Sequence, residues 1–335
     1  MIRPLSRFTD FAFVRKSELA ELRTKLSEAY STRVTPWPPP PLPPGADEKL
    51  RPDHPLLVDL ARRFRDHPAA DPSQWSDDYV RNTIDMRRFR ANNSYVWQQW
   101  DASDPFRYGL TTYYTRLHDE LGLFDRLDED GLFGAETYDI DGTIVSRDLL
   151  DSISELTFLE QEVGLSRGDV TVLDIGAGYG RLAHRTATAF PNVTYLCTDA
   201  VPLSTFVSHY YLGLRGVDDR ARVIPLDEIA DVVDATRIDI AVNIHSFAEC
   251  PLDVIEWWLE LLRRSSVKHL FIVPNTKDRL LSKERTAPRV DFMPLVLEAG
   301  FELVCKRPKY GDSEFMQHHG LHGTFPMFYF LFARR

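Results

Sequence analysis

The chain is short of cysteine. Its 335 residues hold three, Cys197, Cys250 and Cys305, far apart and without the paired spacing of a soft-metal site. That argues against a disulfide-stapled secreted scaffold; the three read as buried thiols of a reducing cytoplasm, two of them in expected strand or helix cores. Long apolar runs are missing too. Nothing approaches the roughly 20 apolar residues of a membrane span, and Arg3, Arg7, Asp10 and Arg15 interrupt any leader-like run at the start. A cytoplasmic protein with no membrane partner is therefore expected. Positive charge is the third shortage: 40 Lys and Arg stand against 50 Asp and Glu, a formal charge of −10. Nucleic-acid binding rests on clustered cations, so no nucleic-acid partner is expected. Met86-Arg-Arg-Phe-Arg90 is an exception, but short, and reads as one face of a helix. What remains is an ordinary globular composition, 43% hydrophobic and 27% charged, long enough for two domains or one with a large extension.

The most informative stretch runs from Asp169 to Arg181. Val170, Val172, Leu173 and Ile175 form a short apolar run that suits a strand buried on both faces. It enters Gly176, Gly178 and Gly180 and then a helical pattern from Arg181. Strand, glycine turn and helix open a nucleotide-binding sheet, with the turn's amides and the helix N-terminus facing the ligand. The dinucleotide fingerprint wants a small residue where this chain has Arg181. The pattern present, Asp174-x-Gly-x-Gly-x-Gly180, resembles motif I of the class I S-adenosylmethionine-dependent methyltransferases. The resemblance implies that Asp174 faces the methionine end or orders the loop. Asp199, ending the next strand (Val193 to Asp199) with Ala200 beside it, is placed to accept the ribose hydroxyls.

Before the motif, Leu19, Leu22, Leu26 and Tyr30 suggest an amphipathic helix. The run Pro36 to Pro44 is a stiff polyproline II segment barred from helix and sheet interiors. It reads as a spacer or an arm packed on the body, with a second subunit of a homodimer within its reach, or as a ligand for a proline-binding module. Residues 53–127 look helical and aromatic. Asn93, Tyr95, Trp97 and Gln98, with Tyr114 further on, suit a pocket for a polyhydroxylated ligand; they equally suit a helical layer packed on the sheet. A helix opens after Ser146 and ends at Gly164, and Arg147 at its start is a candidate for the cofactor carboxylate. The division expected is an arm at 1–50, a helical cap at 51–140 and the cofactor-binding domain at 141–335.

From residue 170 strands and helices alternate, which predicts a mostly parallel sheet. Strands are expected at 170–175, 193–198, 221–225, 238–244 and 268–273, with helices near 179–189, 202–212, 251–264 and 288–299. Phe301–Lys306 and Phe325–Ala333, with no helical pattern between them, predict a closing antiparallel hairpin. The fold class expected is thus α/β and Rossmann-like: a seven-stranded, mostly parallel sheet with an antiparallel last strand and an N-terminal helical region. Ligands of such sheets lie beyond the strands' carboxyl ends, which gathers Asp199, Asp227 (near an adenine), Asn243, His245 and Glu249. His245 is the leading candidate base, with Glu249 to orient it or take the proton itself. His318, His319 and His322 lie on the long 307–324 connection and could reach an acceptor. Asp and Glu with water could hold a divalent ion such as Mg2+, though no spacing demands one.

Beyond the glycine motif, the sequence resembles the sugar O-methyltransferases of actinobacterial natural-product and polysaccharide clusters. The resemblance is carried by Asn93–Gln98, Val145–Ser152, Asp174–Leu182, Cys197–Pro202, Asn243–Pro251 and Glu256–Trp258, and it covers about 80–335. It implies S-adenosylmethionine as cofactor, S-adenosylhomocysteine as product, and a sugar hydroxyl as acceptor, on a mannoside, another glycoside or a natural product's deoxysugar. Two alternatives stand beside it: a nicotinamide oxidoreductase, opposed by Arg181 and the closing hairpin, and a non-catalytic methyltransferase-like scaffold, opposed by the intact motif.

Overall fold

The computed structural model describes residues 34–71, 75–76, 79–80, 82, 84–91, 105–322 and 326–335. The helix expected around Leu19–Tyr30 and the aromatic run Asn93, Tyr95, Trp97, Gln98 lie outside them. Among the described residues no helix is long and apolar enough to cross a membrane.

The core is a seven-stranded sheet. Its strands are β4 (Val170–Ile175), β5 (Val193–Thr198), β6 (Ala221–Val223), β7 (Ile240–Ile244), β8 (His269–Val273), β9 (Phe301–Pro308) and β10 (Phe328–Arg334). Their order is β6-β5-β4-β7-β8-β10-β9, parallel from β6 to β8, with β10 antiparallel to both neighbours. This is the mostly parallel, Rossmann-like sheet expected from the sequence, with its last strand reversed. Because helices cover both faces, the central strands are largely apolar on both sides: Val172, Leu173, Ile240, Val242 and Phe271 are all at most 1% exposed. Pro225 follows β6 and lacks the N–H to extend it, so β6 stops short of its expected length.

The helices after the motif are α4 (Arg181–Ala189), α5 (Pro202–Leu214), α6 (Ile229–Ala235), α7 (Leu252–Arg264), α8 (Met293–Glu298) and α9 (Glu314–His319). α8 is shorter than the expected 288–299 because Pro294 occupies its first turn. Before the motif stand α1 (Pro55–Phe64), packed on α5, then α2 (Pro105–Leu117) and α3 (Arg147–Glu162). The Ser146 hydroxyl caps α3 by accepting from Leu149 N at 3.1 Å. Cys197 is buried in β5, while Cys250 and Cys305 are half-buried, Cys305 on the edge strand β9.

A second, three-stranded antiparallel sheet was not foreseen. β1 (Val34–Trp37) pairs with β2 (Thr137–Ile140), which pairs with β3 (Thr143–Ser146). The β2–β3 turn is Asp141-Gly142, both at positive φ, 52° and 81°, the two-residue hairpin signature. Pro36 enters this sheet, contrary to the expectation for the proline run, and does so on the outer strand, where a missing donor is tolerated. Each part of the 1–50, 51–140 and 141–335 division contributes one strand.

The basic patch is not a helix face. Met86–Arg88 make one 3-10 turn, and Arg90 is 1% exposed. Its guanidinium meets Glu129 at 2.7 Å and Asp148 at 3.3 Å. Glu129 also takes Arg185 at 3.1 Å and the Ser146 hydroxyl at 2.5 Å. Burial opposes the Glu129 charge most strongly, yet Arg90 and Arg185 hold its carboxyl well below the usual range. Tyr179, inside the glycine turn, donates to Asp148 and so joins the turn to this buried cluster.

Candidate functional site

A cleft opens at the carboxyl ends of β4, β5 and β7. β4 delivers Asp174 and then the glycine turn, with φ of 77°, 58° and 85° at Gly176, Gly178 and Gly180. Gly176 admits no side chain, since a Cβ there would stand 2.3 Å from the Ser246 side chain. The turn's amides do not face a ligand as expected. Gly176 N and Ala177 N donate to Thr198 O at 2.9 and 3.1 Å, Gly180 N to Ala177 O at 3.0 Å. Gly178 N donates to Asp199 Oδ2 at 2.9 Å.

Asp199 directly follows β5 and also accepts from Val201 N at 2.8 Å. Each carboxylate oxygen takes one amide, and the Ser204 hydroxyl bonds the same carboxylate. Burial pushes its pKa up to about 6, against the amides of Val201 and Gly178 and the Ser204 hydroxyl. Asp174, 4% exposed, accepts from Tyr195 Oη at 3.0 Å. Burial pushes it up to about 7, against Tyr195 and Arg181. Arg181 itself forks onto Glu155 at 2.8 and 3.2 Å.

The opposite wall comes from α3. Arg147 is 1% exposed, and its Nε lies 3.1 Å from Asp151, which Lys309 also reaches. Arg147 Nη1 is buried with no hydrogen-bond partner, an uncompensated donor at the cleft wall.

His245 follows β7 at φ 68°, a backbone region a non-glycine residue rarely adopts, and its N–H donates to Val273 O at 2.7 Å. Its Nε2 is buried and unpartnered. Burial, then the Arg147 charge, pulls its pKa down to about 3, so the ring is neutral at physiological pH. Glu249 accepts from Trp75 Nε1 at 2.8 Å and Asn275 Nδ2 at 3.2 Å, and burial raises its carboxyl above the usual range.

The structure thus gathers Arg147, Asp174, Gly176, Gly178, Asp199, Ala200, His245 and Glu249 around one cleft, with Gly180 starting the adjoining helix. It places other candidates elsewhere. Asp227 lies outside the cleft lining and accepts a forked pair of bonds from Arg63 of α1, both at 2.8 Å. Asn243 is fully buried below the cleft, bridging Ile175 O and Phe247 N at 2.9 Å each, where it braces β7 against β4. Tyr114 donates to Tyr310 O at 2.8 Å in a separate hollow between α2 and α3. The loop histidines differ from one another. His318 is exposed and His319 half-buried against Phe315. His322 is 5% exposed, donating to Gln317 O and accepting from Met327 N, both at 3.2 Å. With both ring nitrogens engaged by the backbone, His322 braces the loop rather than facing an acceptor, and burial pulls its pKa down to about 3.

Sequence reading missed Asp71, Trp75, Asp151 and Glu155 in the cleft wall. Asp151 and Glu155 follow Arg147 at four-residue steps on one helix face, a readable signal. Nothing in the sequence marked Asp71 or Trp75. Among the described residues no group of three or more His, Cys, Asp and Glu is arranged for a metal ion.

No protein-family model and no curated protein matches this chain. Solved structures do match. Magnesium protoporphyrin IX methyltransferase (ChlM) from Synechocystis PCC 6803, with bound SAM, is 12% identical at TM-score 0.45 over 79% of this chain and 98% of that one. An S-adenosylmethionine-dependent methyltransferase from Clostridium acetobutylicum ATCC 824 is 10% identical at TM-score 0.39, over 55% of this chain and 91% of that one. Mitomycin 7-O-methyltransferase MmcR is 19% identical at TM-score 0.37, over 56% of this chain and only 57% of its own. These likenesses are of fold alone.

Proposed function

We propose that the chain is an S-adenosylmethionine-dependent O-methyltransferase whose acceptor is a sugar hydroxyl. The observation that carries the first part is the commitment of four glycine-turn amides inside the protein, one of them to Asp199. A pyrophosphate is held by free amides at such a turn, so this turn suits a ligand without phosphate. The donor set around it fits a sulfonium amino-acid nucleoside: Asp199 for a ribose diol, Arg147 Nη1 for a carboxylate, Asp174 for a cationic end. The sugar rests on the sequence resemblance across 80–335.

When bound, S-adenosylmethionine supplies an electrophilic methyl group with a thioether as leaving group. The chain's own residues then have three tasks. Asp199, Asp174 and Arg147 orient the donor. Trp75, bonded to Glu249 at the cleft wall, keeps water from that side of the acceptor. His245, neutral and beside the cleft, takes the acceptor's proton on its imidazole as the new C–O bond forms, and Glu249 stands within the same cleft to help.

A thermal-shift screen tests the reading. S-adenosylhomocysteine at a hundredfold excess over its Kd should stabilise the fold by about 2.7 kcal/mol, and NAD(P)H should not. Asp199→Ala should weaken S-adenosylhomocysteine at least tenfold by calorimetry. A shift with NAD(P)H alone would overturn the assignment.

A further inference from the structure

The carboxylates of the cleft differ once their partners are counted. Asp71 meets Arg285 at 2.6 Å, Asp151 lies between Arg147 and Lys309, and Glu155 is forked by Arg181. Asp199 takes two amides and the Ser204 hydroxyl, Asp174 takes the Tyr195 hydroxyl, and both are matched to the methyl donor. Glu249 is held differently. Both its oxygens are bonded by neutral donors, Oε2 by Trp75 Nε1–H at 2.8 Å and Oε1 by Asn275 Nδ2–H at 3.2 Å.

The two donors come from separate parts of the chain. Trp75 belongs to the segment after α1, where Asp71 is tied to Arg285 and, through it, to Asp253 of α7 at 3.0 Å. The Tyr79 ring meets the indole edge-on at 5.7 Å. Asn275 follows β8, and Glu249 itself ends the single turn after His245. Two neutral donors fix the direction of a carboxylate without cancelling its charge. Each oxygen can accept more than one hydrogen bond, which leaves capacity for a ligand's hydroxyl. Burial raises the Glu249 pKa; the Trp75 bond and the charges of Lys283 and Arg289 work against that, and the Asp199 charge works with it. Tyr79 and Cys250, also close by, are kept protonated by burial.

Resting on the methyl-transfer reading, we propose that Trp75 and Asn275 are positioning residues: they hold the Glu249 carboxylate where it accepts a hydrogen bond from the sugar acceptor. His245 takes the proton of the hydroxyl being methylated. That hydroxyl's oxygen bonds the methyl carbon as the C–S bond breaks, with its electron pair going to sulfur, and Glu249 ends the step unchanged.

The first test needs no turnover. In heteronuclear NMR spectra the indole N–H signal lost in Trp75→Phe is that of Trp75. It should shift with pH in a step whose midpoint lies above the ordinary carboxylate range, and the step should vanish in Glu249→Gln. A signal that does not titrate, or that titrates equally in Glu249→Gln, overturns the proposal.

Kinetics follow, with methyl α-mannoside at saturating S-adenosylmethionine. Trp75→Phe and Asn275→Ala should each move the acid limb of kcat/KM to higher pH by about one unit, the worth of a hydrogen bond to a charged group. The loss is then about tenfold on the acid side and is recovered at alkaline pH. In the Glu249→Gln background neither substitution should have a further effect. A loss equal at every pH, or one that persists in that background, makes both residues merely structural and overturns the proposal. Calorimetry of S-adenosylhomocysteine separates the two readings. Its affinity should be the same in both variants as in the unaltered chain. Failure of the unaltered chain to bind it brings down the methyl-transfer reading, whatever the indole signal does. A chain that binds it and leaves the glycoside unmethylated overturns the acceptor role of Glu249.

Discussion

The seven-stranded sheet and the region in front of it are held by different kinds of contact. In the sheet, order comes from neighbours in sequence: β4, glycine turn, α4 and β5 follow one another within 30 residues, and their apolar runs are continuous because both faces are covered. In front, order comes from pairs far apart. Val34 pairs with Ile140, Arg63 with Asp227, Trp75 with Glu249, and Arg90 reaches Glu129 and Asp148. Hydrophobic periodicity encodes the first kind and is silent about the second. Yet the candidate site draws on both, since the glycine turn is joined to the front through Tyr179, Asp148 and Arg90.

The sharpest way to break this comparison is to remove a charge from the front and ask whether the sheet feels it. Glu129→Ala leaves Arg90 and Arg185 buried without their shared carboxylate, and should destabilise the chain by about 3–5 kcal/mol in urea unfolding. Asp59→Ala breaks an exposed contact to Arg62 and should leave the unfolding midpoint nearly unchanged. If Glu129→Ala is equally mild, the buried cluster does not organise the site.

A second effect belongs to the sheet side. His245→Ala should lower turnover by ~10²–10⁴ with S-adenosylhomocysteine binding retained, the usual worth of a general base. Its pKa near 3 adds a sharper statement: the rate should show no ionisation of His245 between about pH 5 and 8. Near-normal turnover in the variant would move the proton to Glu249.

What the sequence made legible follows the same division. The strand positions, the reversed β10 and the places of Asp174, Asp199 and His245 at the cleft were readable because strand alternation and a glycine turn leave local marks. Asp227 was misplaced because its strand-end position says nothing of Arg63 waiting on α1. Asn243 and His322 were read as chemistry because a polar side chain near a cleft looks alike whether it faces inward or outward; only their partners show that they brace the backbone. The Asp141-Gly142 hairpin was legible and went unread. Trp75 was not legible at all, since one indole in a polar loop has no period to betray it.

Glycines measure the two regions against each other on a smaller scale. Gly176→Ala must accept φ 77° and a Cβ at 2.3 Å from Ser246, a strain and an overpacking that together should cost about 2–4 kcal/mol. Gly142→Ala, at φ 81° with nothing within 4 Å, should cost only the backbone strain, about 1 kcal/mol. Ser246→Gly should rescue part of the first loss. Equal losses at the two positions would show that the turn tolerates a side chain and that the close approach of β7 is not what demands glycine.

The last effect is a pH dependence, and its sign is fixed. Asp199 and Asp174 have folded pKa values near 6 and 7, above the ordinary 3.8. The folded chain without ligand therefore holds more protons than the unfolded one between roughly pH 4 and 7, so these groups lower its stability as pH rises through that window. The penalty is absent below about pH 4 and complete above about pH 7. A ligand that donates hydroxyls to Asp199 or places a cation by Asp174 favours the ionised forms. S-adenosylhomocysteine affinity should then climb from pH 5 to 7 by up to about tenfold per unit for each carboxylate, and level off above it. Calorimetry in two buffers of different ionisation enthalpy would detect the released protons, and Asp199→Asn should remove the component centred near 6. Affinity that is flat from pH 5 to 8 would mean that neither carboxylate meets the ligand, and would leave the front wall, not the sheet, as the place to look for it.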